Sequence, residues 1–584
     1  MTSPDNVDGI FDAKLRLGVV SAVEASAVRV NLRHAGAASG SLVNGARYGL
    51  GEVGEFVLIE GELTALLGRI IKVRLPERER RAIDEEPGEN ATVDAIAEVQ
   101  LLGTVALDTL HVTTGVTTYP RLGDRVYSTP NSFLASVPRR MERERREGDD
   151  KDTPVVLSIG HVSTATSADI LITPERLFGR HCAVLGATGG GKSYTVSRLI
   201  EECIRFSSKL ILIDASGEYR DLSAHTSHVY LGNPTEEPEA STKCSLPQSS
   251  FTESDFLALF EPAGKVQGPT LRAAIRSLRL IQARPALTSP AKPGLLVRAN
   301  RLKREILEVE SEADVSRLLD DPATPFDVHK LVSQIAEECV WETGGTAKAP
   351  DSNRWGDYNT GPLSYCQTLL TRINGVLASR ALECVFGQNP EPTITDKIDE
   401  FLGTCNHRLL RISLEGIYFE FSAREIIANS LGRHLLKKAR ALEFRRCPLV
   451  VFVDEAHNFL GRTLGGEDSP LRLDSFEIIA KEGRKYWLNL CLATQRPRDI
   501  TEGVLSQMGT LIVHRLTNDL DREVVERACG EIDRSASAFL PNLKPGEAAI
   551  VGIDFPIPLT IQIKKPTTPP QSSGAQYQTH WKPG

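Results

Sequence analysis

The sequence predicts an α/β protein: a parallel sheet with helical crossovers, interrupted by a largely helical insertion and preceded by a small β-barrel. Three observations point there. Short β-like runs broken by glycine fill the first part of the chain. From Val155 onward apolar strand-like runs alternate with helical stretches, the pattern of crossover connections. A chain of 584 residues is also too long for one core, so two or three domains are expected.

Taken in order, residues 1–137 carry the barrel candidates: runs at 17–20, 27–32, 55–59 and 68–73, then 97–102 and 123–127. Several short strands with turn signals between them favour a closed sheet. Residues 138–153 are a dense mixed-charge run, read as a solvated linker or exposed helix in preference to a binding arm. The α/β core is assigned to 154–230 and 398–565, with strands at 182–185, 210–213, 409–414, 449–453, 488–493 and 511–513. Between them, 231–397 is polar at first and then helical, with runs at 270–283, 301–319, 326–340 and 368–377. Residues 566–584 form a Pro/Ser/Gln-rich tail, either disordered or an arm that orders against a neighbouring subunit.

Composition narrows the function classes. Hydrophobic residues at 41% and charged residues at 25% are ordinary for a globular protein. A formal net charge of −8 argues against a surface coated in basic residues for nucleic acid, though not against a local basic channel. The ten cysteines are scattered without a C-x-x-C pair, which reads as reduced, mostly buried thiols in a cytoplasmic protein. The amino terminus has neither a basic nor an apolar leader region, and no segment is apolar enough for a membrane span. Any membrane role would need a partner.

The chemistry is concentrated in a few motifs. Gly186-Ala187-Thr188-Gly189-Gly190-Gly191-Lys192-Ser193 fits G-x-x-x-x-G-K-[ST] between an apolar strand and a helical run. Gly186, Gly189, Gly190 and Gly191 let backbone N–H groups turn inward around a β-phosphate, and the following helix presents its positive end. Lys192 can reach the β- and γ-phosphates of ATP, and Ser193 can ligate Mg²⁺. The apolar run 449–453 ends in Asp454 and Glu455. Asp454 would orient Mg²⁺, and Glu455 would polarise the attacking water. His457 either couples to that pair or packs near the strand end. Gln495 follows a later strand and would border the ligand crevice, where it could sense the γ-phosphate; a simple turn is the competing reading. Asp214 and Glu218 are left evenly between a turn and a ligand role. Arg484 and Arg180 are candidates to stabilise charge developing in phosphoryl transfer, against the alternative of ordinary surface arginines.

This ordered set is recognisable. Arg180 through Ser193, Asp214 with Gly217-Glu218-Tyr219, Asp454-Glu455-Ala456-His457, Glu482-Gly483-Arg484-Lys485 and Ala493-Thr494-Gln495-Arg496-Pro497 together resemble the HerA family, in the FtsK–HerA branch of P-loop ATPases. The late segments 504–507, 514–518 and 543–548 resemble it too, and so does the amino-terminal barrel. The resemblance covers most of the chain and is weak in the helical insertion. It implies a RecA-like ATPase core, an amino-terminal HAS-barrel and a homo-hexameric ring with ATP sites between subunits. Double-stranded DNA would lie in the central channel. By the same resemblance Arg484 becomes a trans-acting finger and Arg180 a second, cis-acting arginine. A partner nuclease or a sirtuin-like NADase would dock on the barrel, in DNA-end processing or defence against phage.

The leading expectation is thus an ATP-driven DNA translocase that feeds or activates a partner. A loop at 461–466, containing Arg462, is a candidate to touch the phosphate backbone, with a plain surface loop as its competitor. The rival is a ring-shaped ATPase scaffold that switches an effector without processive movement. A conjugative or septal pump would need a membrane anchor, which the sequence does not offer.

Overall fold

A computed structural model describes residues 10–32, 41–43, 46–49, 51–75, 95–141, 155–163, 165–321, 324–387, 391–460, 463–464, 471–529, 538–571, 577 and 581. The charged run is followed only to Met141; the remainder of it, most of the tail after residue 571, and Gly461 and Arg462 lie outside the described residues. The chain divides into two compact units, Met1–Ser208 with Asn489–Gly584, and Lys209–Leu488.

The first unit opens with strands β1 (Arg16–Val23), β2 (Ala27–Leu32), β3 (Phe56–Ile59), β4 (Thr64–Arg74), β5 (Ala95–Ala106), β6 (Val112–Thr114) and β7 (Arg125–Ser128). Six of them pair in the order β2-β1-β7-β3-β4-β5, and β5 returns to β2, so the sheet closes on itself; β6 adds to β5 outside the ring. Closure follows from alternation. In β2, Val28, Val30 and Leu32 are buried while Arg29 between them is exposed, so one face of the strand supplies the interior. Leu17, Val20, Val57, Ile59, Leu66, Ile70, Val99 and Val126 fill the same barrel core. At Gly18 the β1 and β2 backbones approach so closely that a Cβ would stand 1.9 Å from the Asn31 carbonyl oxygen.

The core strands, in chain order, are β8 (Leu157–Val162), β9 (Asp169–Ile172), β10 (Cys182–Leu185), β11 (Lys209–Asp214), β12 (Thr226–Tyr230), β13 (Thr242–Lys243), β14 (Leu409–Ser413), β15 (Leu449–Val453), β16 (Leu488–Thr494), β17 (Thr510–Val513), β18 (Glu547–Gly552) and β19 (Phe555–Ile563). In the first unit they run β9-β8-β19-β18-β17-β10-β16. Only β16, β10 and β17 are mutually parallel there; the remaining pairs are antiparallel. That antiparallel half departs from the purely parallel pattern the sequence suggested. Within it, β18 and β19 are joined by a tight turn at Ile553-Asp554, which needs no crossover helix.

In the second unit β15-β11-β14-β12-β13 are all parallel. Helices dominate between β13 and β14, among them Glu253–Phe260, Gly264–Ala283, Arg304–Ser311, Ala313–Asp320, Leu331–Glu338, Gln367–Ala378 and Ile394–Gly403. Leu280, Ile281, Leu296, Ile306, Val315, Leu319 and Trp355 form a hydrophobic cluster of their own within that stretch. The α/β class with an amino-terminal barrel and a helical insertion is therefore the one the sequence predicts. All ten cysteines are free thiols and eight are buried. Among the described residues no helix is long and apolar enough to cross a membrane.

Ile70 is fully buried in the barrel core. Ile70→Ala is expected to cost about 2–5 kcal/mol of barrel stability, read as an earlier denaturant transition of tryptic or fluorescence probes confined to the barrel. A shift below about 0.5 kcal/mol would mean the barrel is not a packed core.

Candidate active site

The loop after β10 is built from the strand outward. All four residues of β10 are completely buried, and its parallel partners β16 and β17 fix its height in the sheet. At its carboxyl end the Gly186 N–H donates to the Thr494 carbonyl at 3.3 Å and the Ala187 N–H to the Arg515 carbonyl at 3.3 Å. Gly190 N–H then closes a turn onto the Ala187 carbonyl at 2.9 Å. Gly191 adopts φ 112°, a left-handed backbone that favours glycine, and immediately precedes the helix Lys192–Ile204. Among the described residues no side chain caps that helix. Lys192 is buried and Ser193 half-buried in the first turn.

These features fit a phosphate group: a helix amino terminus without a side-chain cap among the described residues, a glycine-shaped backbone and a lysine in the first turn. Gln495 joins them. The register pairs Leu185 with Thr494, so Gln495 is the next residue beyond, and its Oε1 accepts a hydrogen bond from Thr188 Oγ1 at 2.5 Å. Position and contact both set it beside the loop, as the strand argument required.

Arg180 is placed differently. It precedes β10, at the opposite end of the strand from the loop, roughly 13 Å away along a four-residue strand. Its Nε lies 3.4 Å from Asp554 Oδ1, and its side chain is 43% exposed. The structure does not bring Arg180 to its own chain's loop.

One residue at this loop was named in the sequence only within a longer segment. His514 follows β17 and is completely buried. Its Nδ1 lies 2.8 Å from the Glu547 carbonyl and its Nε2 2.8 Å from Thr195 Oγ1. A histidine ending the apolar run Leu511-Ile512-Val513 was the signal available: a polar group at the carboxyl end of a core strand. Burial pushes the His514 imidazole down to about 4, against the opposing hydrogen bond to Glu547.

The second unit holds the carboxylates. Asp454 follows strand β15; it is completely buried and accepts a hydrogen bond from Ser216 Oγ at 3.3 Å. Glu455 takes a left-handed backbone, φ 48° and ψ 44°, which turns the chain sharply after the strand. Its Oε2 lies 3.3 Å from His457 Nδ1. A glutamate held in that region is strained, and such strain concentrates at functional positions. Asp214, left between two roles by the sequence, builds a turn. Its carboxylate accepts the N–H groups of Gly217 at 2.8 Å and Tyr219 at 3.2 Å. Burial pushes its carboxyl up and Arg411 opposes this; that guanidinium, also fully buried, donates to Asp214 at 2.8 Å and to Glu237 at 2.7 Å.

Arg484 lies in the short turn Gly483–Tyr486 after the helix Ser475–Glu482. Its side chain is exposed and makes no ion pair among the described residues.

With this geometry in place, comparison with known proteins gives a consistent picture. Residues 157–318 match the family model described as the central domain of helicase HerA. The chain is 25% identical over 496 residues to the DNA double-strand break repair helicase HerA of Pyrococcus furiosus, covering 82% of this chain and 79% of that one. It is 23% identical over 501 residues to a probable helicase of Methanocaldococcus jannaschii, covering 83% and 82%. Among solved structures it is similar to the plasmid coupling protein TrwB in complex with ADP and Mg²⁺, at 16% identity and TM-score 0.41, covering 72% of this chain and 91% of that one. The resemblance to HerA read from the motifs is borne out.

The buried His514 makes stability pH-dependent. Its folded value of about 4 lies below the ordinary 6.5, so the unfolded chain takes up a proton first as pH falls. Stability is intact above pH 6.5, falls between 6.5 and 4, and from this residue alone drops by up to about 3 kcal/mol. The thermal midpoint of the wild type is therefore expected to fall more steeply over that window than that of His514→Gln. Parallel slopes would contradict the assignment of a buried neutral imidazole.

Proposed function

We propose that this HerA-type chain is an ATP-hydrolysing, ring-forming translocase on double-stranded DNA. The observation that carries the reading is the amino terminus of the helix Lys192–Ile204, without a side-chain cap among the described residues, with Lys192 in its first turn and Gln495 bonded to Thr188 of the loop. Support also comes from the ordered motif set and from the helicase relatives.

In this reading the loop N–H groups and Lys192 bind the phosphates of ATP, and Ser193 and Asp454 hold Mg²⁺. The bound Mg²⁺–ATP supplies a phosphoanhydride bond whose hydrolysis drives movement. Glu455 takes the proton of the attacking water, Gln495 reports whether the γ-phosphate is present, and Arg484, exposed and in no ion pair among the described residues, reaches a neighbouring subunit's triphosphate. Six subunits surround the duplex and contact its phosphates, reading charge rather than sequence. The barrel takes an effector, a nuclease or a sirtuin-like NADase, in DNA-end processing or antiviral defence. Arg180, a strand's length from Lys192, is given no step in cis.

Lys192→Ala is expected to abolish nucleotide binding, while Glu455→Ala keeps binding and loses about 10²- to 10⁴-fold in turnover. Equilibrium binding and phosphate release separate the two. Wild-type turnover should rise with duplex DNA and lose that stimulation as salt increases; turnover indifferent to DNA would contradict a motor. For Arg484, mixing Arg484→Ala with Glu455→Ala subunits should restore part of the activity that neither has alone, because some interfaces regain both groups. Mixtures no more active than the separate variants would rule out action in trans.

A further inference from the structure

We propose that His514 is a positioning residue for the phosphate loop: its ring holds the first and last glycines of the loop against the turn that opens the β18–β19 hairpin, and so sets affinity for the nucleotide. This rests on the reading of the loop as a nucleotide site.

Three hydrogen bonds converge on the residue. Its backbone N–H donates to the Leu185 carbonyl at 2.7 Å, locking it level with the end of β10. On the ring, the Glu547 carbonyl can only accept, so Nδ1 carries the proton and donates to it at 2.8 Å. That leaves Nε2 with a lone pair, and Thr195, almost fully buried in the helix after the loop, donates its hydroxyl to it at 2.8 Å. One tautomer thus satisfies both nitrogens, and burial keeps the ring neutral.

The ring also shapes the loop by contact. A Cβ on Gly186 would stand 2.6 Å from the His514 Cβ, and one on Gly191 would stand 3.2 Å from its Cε1. Both ends of the glycine stretch therefore pack on one side chain. The same hairpin opening reaches the loop a second way, because the Gly546 N–H donates to the Gly190 carbonyl at 3.2 Å. Glu547, which receives the ring proton, is the next residue.

Removing the ring takes away the floor under Gly186 and Gly191 and leaves the Thr195 hydroxyl and the Glu547 carbonyl without this partner. The N–H groups that point at the phosphates then lose their common aim. Ground state and transition state use those groups alike, so the loss falls on binding more than on the chemical step.

The test is calorimetric titration of full-length protein with ADP and Mg²⁺, and steady-state turnover with ATP. His514→Leu should raise the ADP Kd by about tenfold or more at unchanged stoichiometry, the size expected from two lost hydrogen bonds. At saturating ATP, kcat should change less than KM. Thr195→Val removes one of the two bonds with little change of shape and should raise Kd by a smaller factor. The double variant should be no weaker than His514→Leu alone, since both act through one ring. His514→Asn, which can still donate near the Nδ1 position, should recover part of the loss. An unchanged Kd in His514→Leu and Thr195→Val, or a reduced stoichiometry at the wild-type Kd, would overturn the proposal. A wild type that binds neither ADP nor ATP would instead overturn the nucleotide reading itself.

Discussion

The site depends on the start of the helix Lys192–Ile204, which no side chain caps among the described residues. A helix leaves about four backbone N–H groups without an intrahelical partner at its amino terminus, and proteins normally satisfy them with a capping side chain. Here glycine stands where a serine or aspartate would otherwise cap. The arrangement is tolerable only if something else holds the loop in shape. A strand buried on both faces fixes one end, a left-handed Gly191 sets the entry into the helix, and His514 fills the space beneath. The stability of the sheet is thereby spent on a few directed donors.

The second unit solves a comparable problem with charge. Strand β15 delivers Asp454 into a fully buried position, and β11 delivers Asp214 in the neighbouring register, where Ile213 pairs with Val453. Two carboxylates ending adjacent strands repel. Arg411, from β14 on the other side of β11, answers Asp214 directly, and Ser216 of the turn that Asp214 folds reaches Asp454. Asp214 is thus engaged by the protein, and Asp454 receives a neutral hydroxyl from that turn. A buried pair of this kind is weak support for stability but a strong means of fixing one geometry, because either partner alone would be costly.

What the sequence disclosed and what it hid have physical reasons. Strands buried on both faces read as short apolar runs, so β10, β11 and β15 were legible, and Gln495 followed from lying just past such a run. The glycine pattern gave the loop because few other backbones need glycine at those spacings. The helix Ala423–Arg440 was not legible: its first ten residues are buried on every side, so no amphipathic stripe marks it. The antiparallel pair β18–β19 was missed because a tight turn joins it instead of a helix. His514 was hidden for another reason. Its role lies in contacts with Thr195 and Glu547, hundreds and tens of residues away in the chain, which no local pattern encodes. Arg180 illustrates the converse: nearness in sequence to the loop did not mean nearness in space, because a strand separates them.

Hydrogen–deuterium exchange across residues 186–195, with and without ADP and Mg²⁺, tests the central claim most directly. If the loop and the helix start bind phosphate, their amides should slow on nucleotide addition, most of all at the start of the helix Lys192–Ile204. Exchange unchanged by nucleotide over those residues, with protection appearing elsewhere in the chain, would contradict the account.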